Sequence, residues 1–578
     1  MRQIVIHTCC FLLLFSALGK SQTSYNLQIV FSSVQAEFKS PKYKTQHANE
    51  TELNKEVNRV YLLLIGNGFI AASVDSIKKE TTNFKAHIHV GESYKWANLT
   101  CDKAEIALLS KLGYGERYFK NKTFKYTELY KLLDKIIVYY ENNGYPFASA
   151  SLDSIDFTNN SLSAKLVVTK NVLVKLDSII VEGDVKINPK FLHKYLGIKN
   201  GMPYNESSFK SVSGKLKQLS FLAEKQAPVL RLTDKQNKLY LFLNKRNASQ
   251  FDGIVGILPN DKGKTVFTGD VKIKLVNNIL RNGETFDINW RRLQTQTQDL
   301  KASVIYPYLF GLPIGVDYGI KIYKKDSSFI DVTNAMGLNY YFSGLNHIKA
   351  FYKQRNSNLI STSSLTNITV LPEYADVITQ AYGFGVFYER LNYKFNPRKG
   401  VSFLMQNSVG TRNIKKNPRI NDLAYKNILL KSSQYQLEAM FNAYVNLKKN
   451  HVLKLATQFG SVFGNQIYKN ELFRIGGLKT LRGFDEESIY ASTFVIPTLE
   501  YRFLFEQNSN LFLFTEGAWY ENQSINVSIS DTPISVGAGI NFETKAGIFN
   551  LSYALGKQFN TGFDLRTGKI HAGLTALF

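Results

Sequence analysis

The sequence predicts a chain in two parts: α+β repeats through the N-terminal half, then a sixteen-stranded antiparallel transmembrane β-barrel. Three observations carry that expectation. Asn67-Gly68-Phe69-Ile70-Ala71-Ala72 returns about 76 residues later as Asn143-Gly144-Tyr145-Pro146-Phe147-Ala148, a period that suits small tandem domains. From Phe251 onward, apolar and polar residues alternate strictly, as in Val316, Tyr318, Ile320 and Ile322 against Asp317, Gly319 and Lys321. Aromatics make up 13% of the chain, with 40 Phe and 33 Tyr, yet mean hydropathy is slightly negative. That combination fits strands with one face in lipid and the other in water.

The 578 residues exceed what one ordinary core organises. Residues 1–21 read as a signal peptide, with Arg2 and His7 ahead of the apolar run Cys9 to Leu18 and small residues at Ala17, Gly19 and Ser21. No later stretch approaches the ~18 apolar residues of a spanning helix, so any membrane entry must use a closed barrel. Two of the three cysteines fall in the signal; the remaining one, Cys101, cannot form an internal disulfide. A net charge of +25 suits anionic headgroups or acidic partners, and no nucleic-acid module accompanies it. The chain lacks a G-x-S-x-G elbow, a P-loop and His/Cys metal spacing, so no enzyme, cofactor or metal is expected.

The N-terminal half divides into segments 22–97, 98–174 and 175–247. In the second, Leu129, Leu132, Leu133, Ile136, Ile137 and Tyr140 recur at helical spacing, Gly144 stops the helix, and strands follow over Ala148 to Phe157 and Ser161 to Thr169. The third opens with a strand over Leu176 to Val181. Asn188-Pro189 then starts one helix, Phe209 to Leu219 lie on another, and strands at Val229 to Leu232 and Leu239 to Leu243 close the segment. The order strand-helix-helix-strand-strand resembles the polypeptide-transport-associated (POTRA) domain, in three copies. The resemblance implies a periplasmic arm whose sheet edges accept extended segments of other chains.

The barrel occupies 248–578. Its strands are expected to begin near Phe251, Val266, Glu284, Asp299, Pro313, Phe329, Asn346, Ala381, Gly400, Ser432, His451, Thr493, Asn510, Thr532, Gly547 and Gly568. Connections after even-numbered strands are short, such as Asn396-Pro397-Arg398-Lys399, and those after the seventh, ninth and eleventh are long and polar. Short turns on one side of a membrane and long loops on the other are expected of an outer-membrane barrel.

Between the eleventh and twelfth strands lies RIGGLKTLRGFDEES, Arg474 to Ser488, with Leu481-Arg482-Gly483-Phe484 at its centre. A cation folded out of water needs an acid. Alternation in the twelfth strand turns Glu500 inward, and Glu516 sits mid-strand in the thirteenth. Here the residues resemble the BamA/TamA superfamily of outer-membrane assembly factors, with a TamA-like size. In that family a Gly-Gly then [VIL]-Arg-Gly-[FY] loop folds into the barrel and its Arg pairs with acids on the next two strands. Gly476, Gly477, Leu481, Arg482, Gly483 and Phe484 match the loop, and Glu500 and Glu516 stand at the acid positions, Glu516 replacing the usual Asp. Ile570, Ala572, Leu574, Ala576 and Phe578 match the family's C-terminal targeting signal on the lipid face of the last strand.

The resemblance implies a non-enzymatic insertase or translocase in the outer membrane with its arm in the periplasm. Clients would be unfolded outer-membrane proteins, passing a lateral seam between first and last strands; outer-membrane lipids and a periplasm-spanning or lipoprotein partner are the other expected contacts. Gly253, Gly256 and Pro259 weaken the first strand. A two-partner-secretion-type transporter and a lipid-transfer conduit with a TamB-like partner remain the alternatives.

Overall fold

The computed structural model describes residues 24–578 except 35–37, 116–117, 234, 260–264, 295–296, 363–364, 366–367 and 560; the side chains of 254–259, 265–268 and 293–294 are also outside the description. The signal segment, and the side chain of Pro259, therefore lie outside the described residues. The chain forms two compact units, Met1–Lys175 with Pro203–Ser207, and Leu176–Met202 with Ser208–Phe578.

The first unit holds two small sheets. Glu50–Gly66 is helical because Asn49 accepts a hydrogen bond from the Glu52 amide at 2.8 Å, closing the N-terminus. Leu53, Val57, Val60 and Leu64 then recur on one face and are buried against Leu27, Phe84, Ala86 and Ile88. Tyr126–Glu141 repeats the design, burying Leu129, Leu132, Ile136 and Tyr140 against Trp96, Leu162 and Leu166. The Asn-Gly repeat marks where these helices stop. Gly68 (φ +98°) and Gly144 (φ +102°) take the left-handed turn, and a Cβ on either would lie 2.4 Å from a neighbouring atom.

The second unit contains a third sheet and the barrel. Asn237–Lys245 is central, parallel to Ser178–Glu182 and antiparallel to Leu222–Leu232. The strand Leu222–Leu232 thus begins well before the expected Val229. Asn188 caps the helix Pro189–Leu196 by accepting from the Lys190 amide at 2.9 Å, and Gly197 (φ +73°) ends it. Phe191, Tyr195, Val212 and Leu216 form a core that continues without a break into Tyr308 and Tyr341 of the barrel's short-turn rim. Tyr308 and Tyr341 stack at 4.9 Å, and the Tyr308 hydroxyl donates to the carbonyl of Gly344. Gly283, in another turn on that rim, faces the Phe191 ring so closely that a Cβ would lie 2.5 Å from it.

The barrel closes through sixteen antiparallel strands. Observed starts match the expected ones within a few residues except for two. The eighth strand, Val377–Leu391, begins ahead of Ala381. The fourteenth begins at Val527 rather than Thr532, because the thirteenth and fourteenth continue as the hairpin Trp519–Ser524 and Val527–Asp531, whose first strand still pairs with Thr493 to Val495 of the twelfth. Thr532-Pro533 interrupts that strand without ending it. Alternation sorts the faces: Leu499, Tyr501 and Phe503 are exposed on the wall while Glu500 and Phe514 are buried inside.

Hydrogen-bonded register is long everywhere but at closure. The first strand, Gln250–Pro259, pairs with the second over ten residues, and the last, Lys569–Leu577, pairs with the fifteenth over seven. Among the described residues, first and last share three pairs: Gln250 with Leu577, Phe251 with Ala576, and Asp252 with Thr575.

Candidate functional site: the lumenal loop

The loop grows from a short two-stranded stem, Phe473–Ile475 paired with Ile489–Ala491. Gly476 (φ +112°) and Gly477 (φ +91°) reverse the backbone directly after it, a path closed to residues with a side chain. Thr480 holds the turn: its hydroxyl accepts from the Gly476 amide at 2.8 Å and donates to the Gly476 carbonyl at 2.9 Å. Leu481 is fully buried with Ile475, Phe484, Ile489, Phe494 and Ile496, so an apolar knot anchors the loop against the inner wall. Gly483 (φ +87°) lies flat on the fifteenth strand, where a Cβ would meet the Gly556 amide at 2.8 Å; a Cβ on Gly556 would in turn meet the Gly483 carbonyl at 2.7 Å. The absence of side chains on both residues permits this backbone-to-backbone approach, and Phe484 covers Gly556.

That approach carries Arg482 to two carboxylates. Its Nη1 donates to Glu500 Oε2 at 2.9 Å and its Nε to Glu516 Oε1 at 2.7 Å, while Nη2 stands 2.6 Å from the same Glu516 oxygen. The Arg482 amide donates to the other Glu516 oxygen at 2.8 Å, so side chain and backbone grip one acid together. The guanidinium also lies 3.4 Å above the Phe514 ring, a cation–π contact. Glu500 keeps a second cation, Arg502 Nε at 2.7 Å, and Arg502 reaches Asn396 at 3.1 Å. Both acids are about 4% exposed, and charge-assisted bonds offset their removal from water. The Glu516 side chain spans the distance to both the Arg482 backbone and its guanidinium.

Sequence reasoning missed the loop's other half. Glu486 and Glu487 reach across the lumen to Arg291 of the third strand at 3.0 and 3.2 Å, and Arg291 also donates to Asp299 at 2.6 Å. Asp485 meets Lys569 of the last strand at 2.7 Å. Ahead of the stem, Arg412 and Glu471 form a buried bidentate pair, both bonds 2.7 Å, with Gln434 donating to the same carboxylate. The available signal was the acidic run Asp485-Glu486-Glu487 beside inward positions such as Arg291 in the third strand. On the last strand Ile570 and Ala572 are exposed and Leu574 and Ala576 are half-buried; Phe578, 47% exposed, donates its amide to the Ser249 carbonyl at 3.0 Å.

Comparison with known proteins places this architecture. The model of the Omp85 superfamily domain matches residues 278–574. Among curated proteins no relative matches the chain. CdiB from Acinetobacter baumannii shares 13% identity over 91% of this chain and 97% of its own, with a TM-score of 0.52. CdiB from Escherichia coli shares 14% identity over the same proportions, again at 0.52. BamA from Haemophilus ducreyi lacking POTRA domains 1-3 shares 15% identity over 84% of this chain and all of its own, with a TM-score of 0.42. With the family match extending over more than half of its residues, the chain belongs to the Omp85 superfamily.

Proposed function

We propose that the chain is an insertase or translocase that hands unfolded outer-membrane proteins into the bilayer through the seam between its first and last strands. The observation that carries this reading is the three-pair closure, against ten and seven pairs on the flanking ladders. Parting the seam exposes few backbone groups, and an incoming strand can pair with those edges as it enters. The arm would lie in the periplasm and receive clients along its sheet edges, and a periplasm-spanning or lipoprotein partner would deliver them. Arg482 and its acids would hold the loop against the inner wall while the seam works.

A covalent lock tests the reading. Asp252→Cys with Thr575→Cys places thiols at directly opposed positions of the seam, and Cys101→Ser removes the competing thiol. The expected result is a folded, heat-resistant barrel that no longer supports client insertion until reduced. Full activity of a crosslinked chain would replace the seam with passage through the lumen, as in a two-partner-secretion-type transporter or a lipid conduit.

A further inference from the structure

Between the loop and the wall formed by the third to seventh and tenth strands lies a lumenal cavity of about 380 Å³ with an excess of cationic side chains. Lys301 of the fourth strand stands directly opposite Lys321 of the fifth, and both face the cavity. Like charges opposed in an antiparallel pair repel at a Cβ separation of about 5 Å, so such a pair needs a counter-charge. Each carboxylate nearby already faces a cation or an amide, although Asp299 Oδ1, Asp331 Oδ1 and Glu487 Oε2 accept no hydrogen bond. Asp331 lies 2.6 Å from Arg355, Glu487 is held by Arg291 and Arg474, and Glu486 is held by Arg291. Asp299 serves Arg291 at 2.6 Å and Lys301 only at 3.4 Å. Glu471 belongs to Arg412. Glu438 accepts from Gln436, whose own oxygen accepts from Lys353 at 3.1 Å, so its charge reaches Lys353 through an amide. Among the described residues, Lys321 and Lys353 have no carboxylate within 4.0 Å.

We propose that this cavity binds an oxyanion of the phosphate class. Lys321, Lys353 and Lys301 would hold it from the wall, and Lys479, whose present partner is Asp270 at 3.6 Å, would reach it from the loop. Three properties fit that ligand. Lysine ammoniums act as point charges that suit a multivalent oxyanion without requiring one fixed geometry. The volume accommodates a phosphate together with several waters, each claiming about 30 Å³. The cations come from both loop and wall, so the bound anion would tie the loop to the strands opposite Arg482 and complete its fastening on that side. The phosphate could be a free ion or a lipid headgroup, since both present the same group.

The test uses the full-length chain in neutral detergent. Thermal midpoint and trypsin cleavage at Lys479 are followed with inorganic phosphate, with dihexanoyl phosphatidic acid, and with chloride at matched ionic strength. Saturating phosphate is expected to raise the midpoint by about 2 °C or more and to slow cleavage several-fold, while chloride does neither. Both effects should vanish in Lys321→Gln/Lys353→Gln; if that chain does not fold, Lys353→Gln alone should weaken them. Protection by the short-chain lipid alone would assign the site to a headgroup. Equal responses to phosphate, lipid and chloride, or phosphate protection undiminished in a folded variant, would overturn the proposal.

Discussion

Replacing Arg482 by alanine isolates the energetic role of the loop. The substitution removes two side-chain contacts to Glu516, one bond to Glu500, and the cation over Phe514. Its consequences differ between the acids. Glu500 retains Arg502 at 2.7 Å and stays compensated. Glu516, 3% exposed, keeps only the amide of residue 482 and becomes a buried carboxylate without a cation. Breaking a buried pair from one side costs about 3–5 kcal/mol, and the lost cation–π contact adds about 1. Water reaching Glu516 as the loop lifts would lower the total, so about 3 kcal/mol is the expected loss for the closed pose. The loop has a cheaper route than barrel unfolding, namely detachment. Arg482→Ala should therefore expose Lys479 to trypsin while the barrel keeps its heat-resistant mobility in gels, and client insertion should fall. Glu516→Gln in the same chain removes the uncompensated charge and should restore part of the protection. Unchanged loop protection in Arg482→Ala, or a double variant no better protected than the single, would refute the reasoning.

Three further outcomes follow from geometry already described. Gly483→Ala must hold an L-residue at φ +87° with its Cβ 2.8 Å from backbone, which costs at least about 1 kcal/mol; limited proteolysis should show a looser loop than in the parent. Deleting Phe578 removes an exposed aromatic and the amide bonded to Ser249, and should lower membrane yield of the barrel while hydrogen exchange of the N-terminal unit stays unchanged. Glu56 is held down to about 2, from 4.5, chiefly by the Arg59 hydrogen bonds, with burial opposing and the Lys44 amide assisting. A carboxyl with a depressed folded pKa stabilises above its unfolded value and loses that contribution as pH falls through the folded one. Protection of helix Glu50–Gly66, corrected for intrinsic exchange, should thus decline from pH 4.5 toward 2 in the parent and decline less in Glu56→Gln.

The sequence shows some of this site and hides the rest for a physical reason. Alternation is a local property, so the inward face of Glu500 could be read from Leu499 and Tyr501 on either side, and the strand starts followed from the same period. Closure is not local. Arg291 and Glu486 are separated by 195 positions, and their contact depends on how far the loop crosses a lumen whose width follows from strand number and tilt. Arg412 with Glu471 is hidden in the same way. Thr532-Pro533 marks the expected start of the fourteenth strand, yet strand also runs ahead of it over Val527–Asp531, because the proline withholds only its own amide from the ladder. The repeat at Gly68 and Gly144 was visible as letters, and the structure supplies its cause in the left-handed turn after each helix.

The core shared by the third α/β domain and the barrel makes the two sides of the seam mechanically unequal. Phe191 and Tyr195 clamp the turns at Gly283, Tyr308 and Gly344, which join the second to seventh strands, so the wall behind the first strand is braced from outside the membrane. The closing hairpin, Gly547–Lys557 with Lys569–Leu577, has no comparable aromatic brace among the described residues; it is held by the fourteenth strand, by the three seam pairs and the Asn247 and Ser249 bonds at its end, by Gly556 against Gly483, and by Lys569 against Asp485. If the barrel parts, the first strand is the door frame and the last hairpin is the leaf, with the loop as its latch. Releasing Asp485 from Lys569 then becomes part of the opening motion itself.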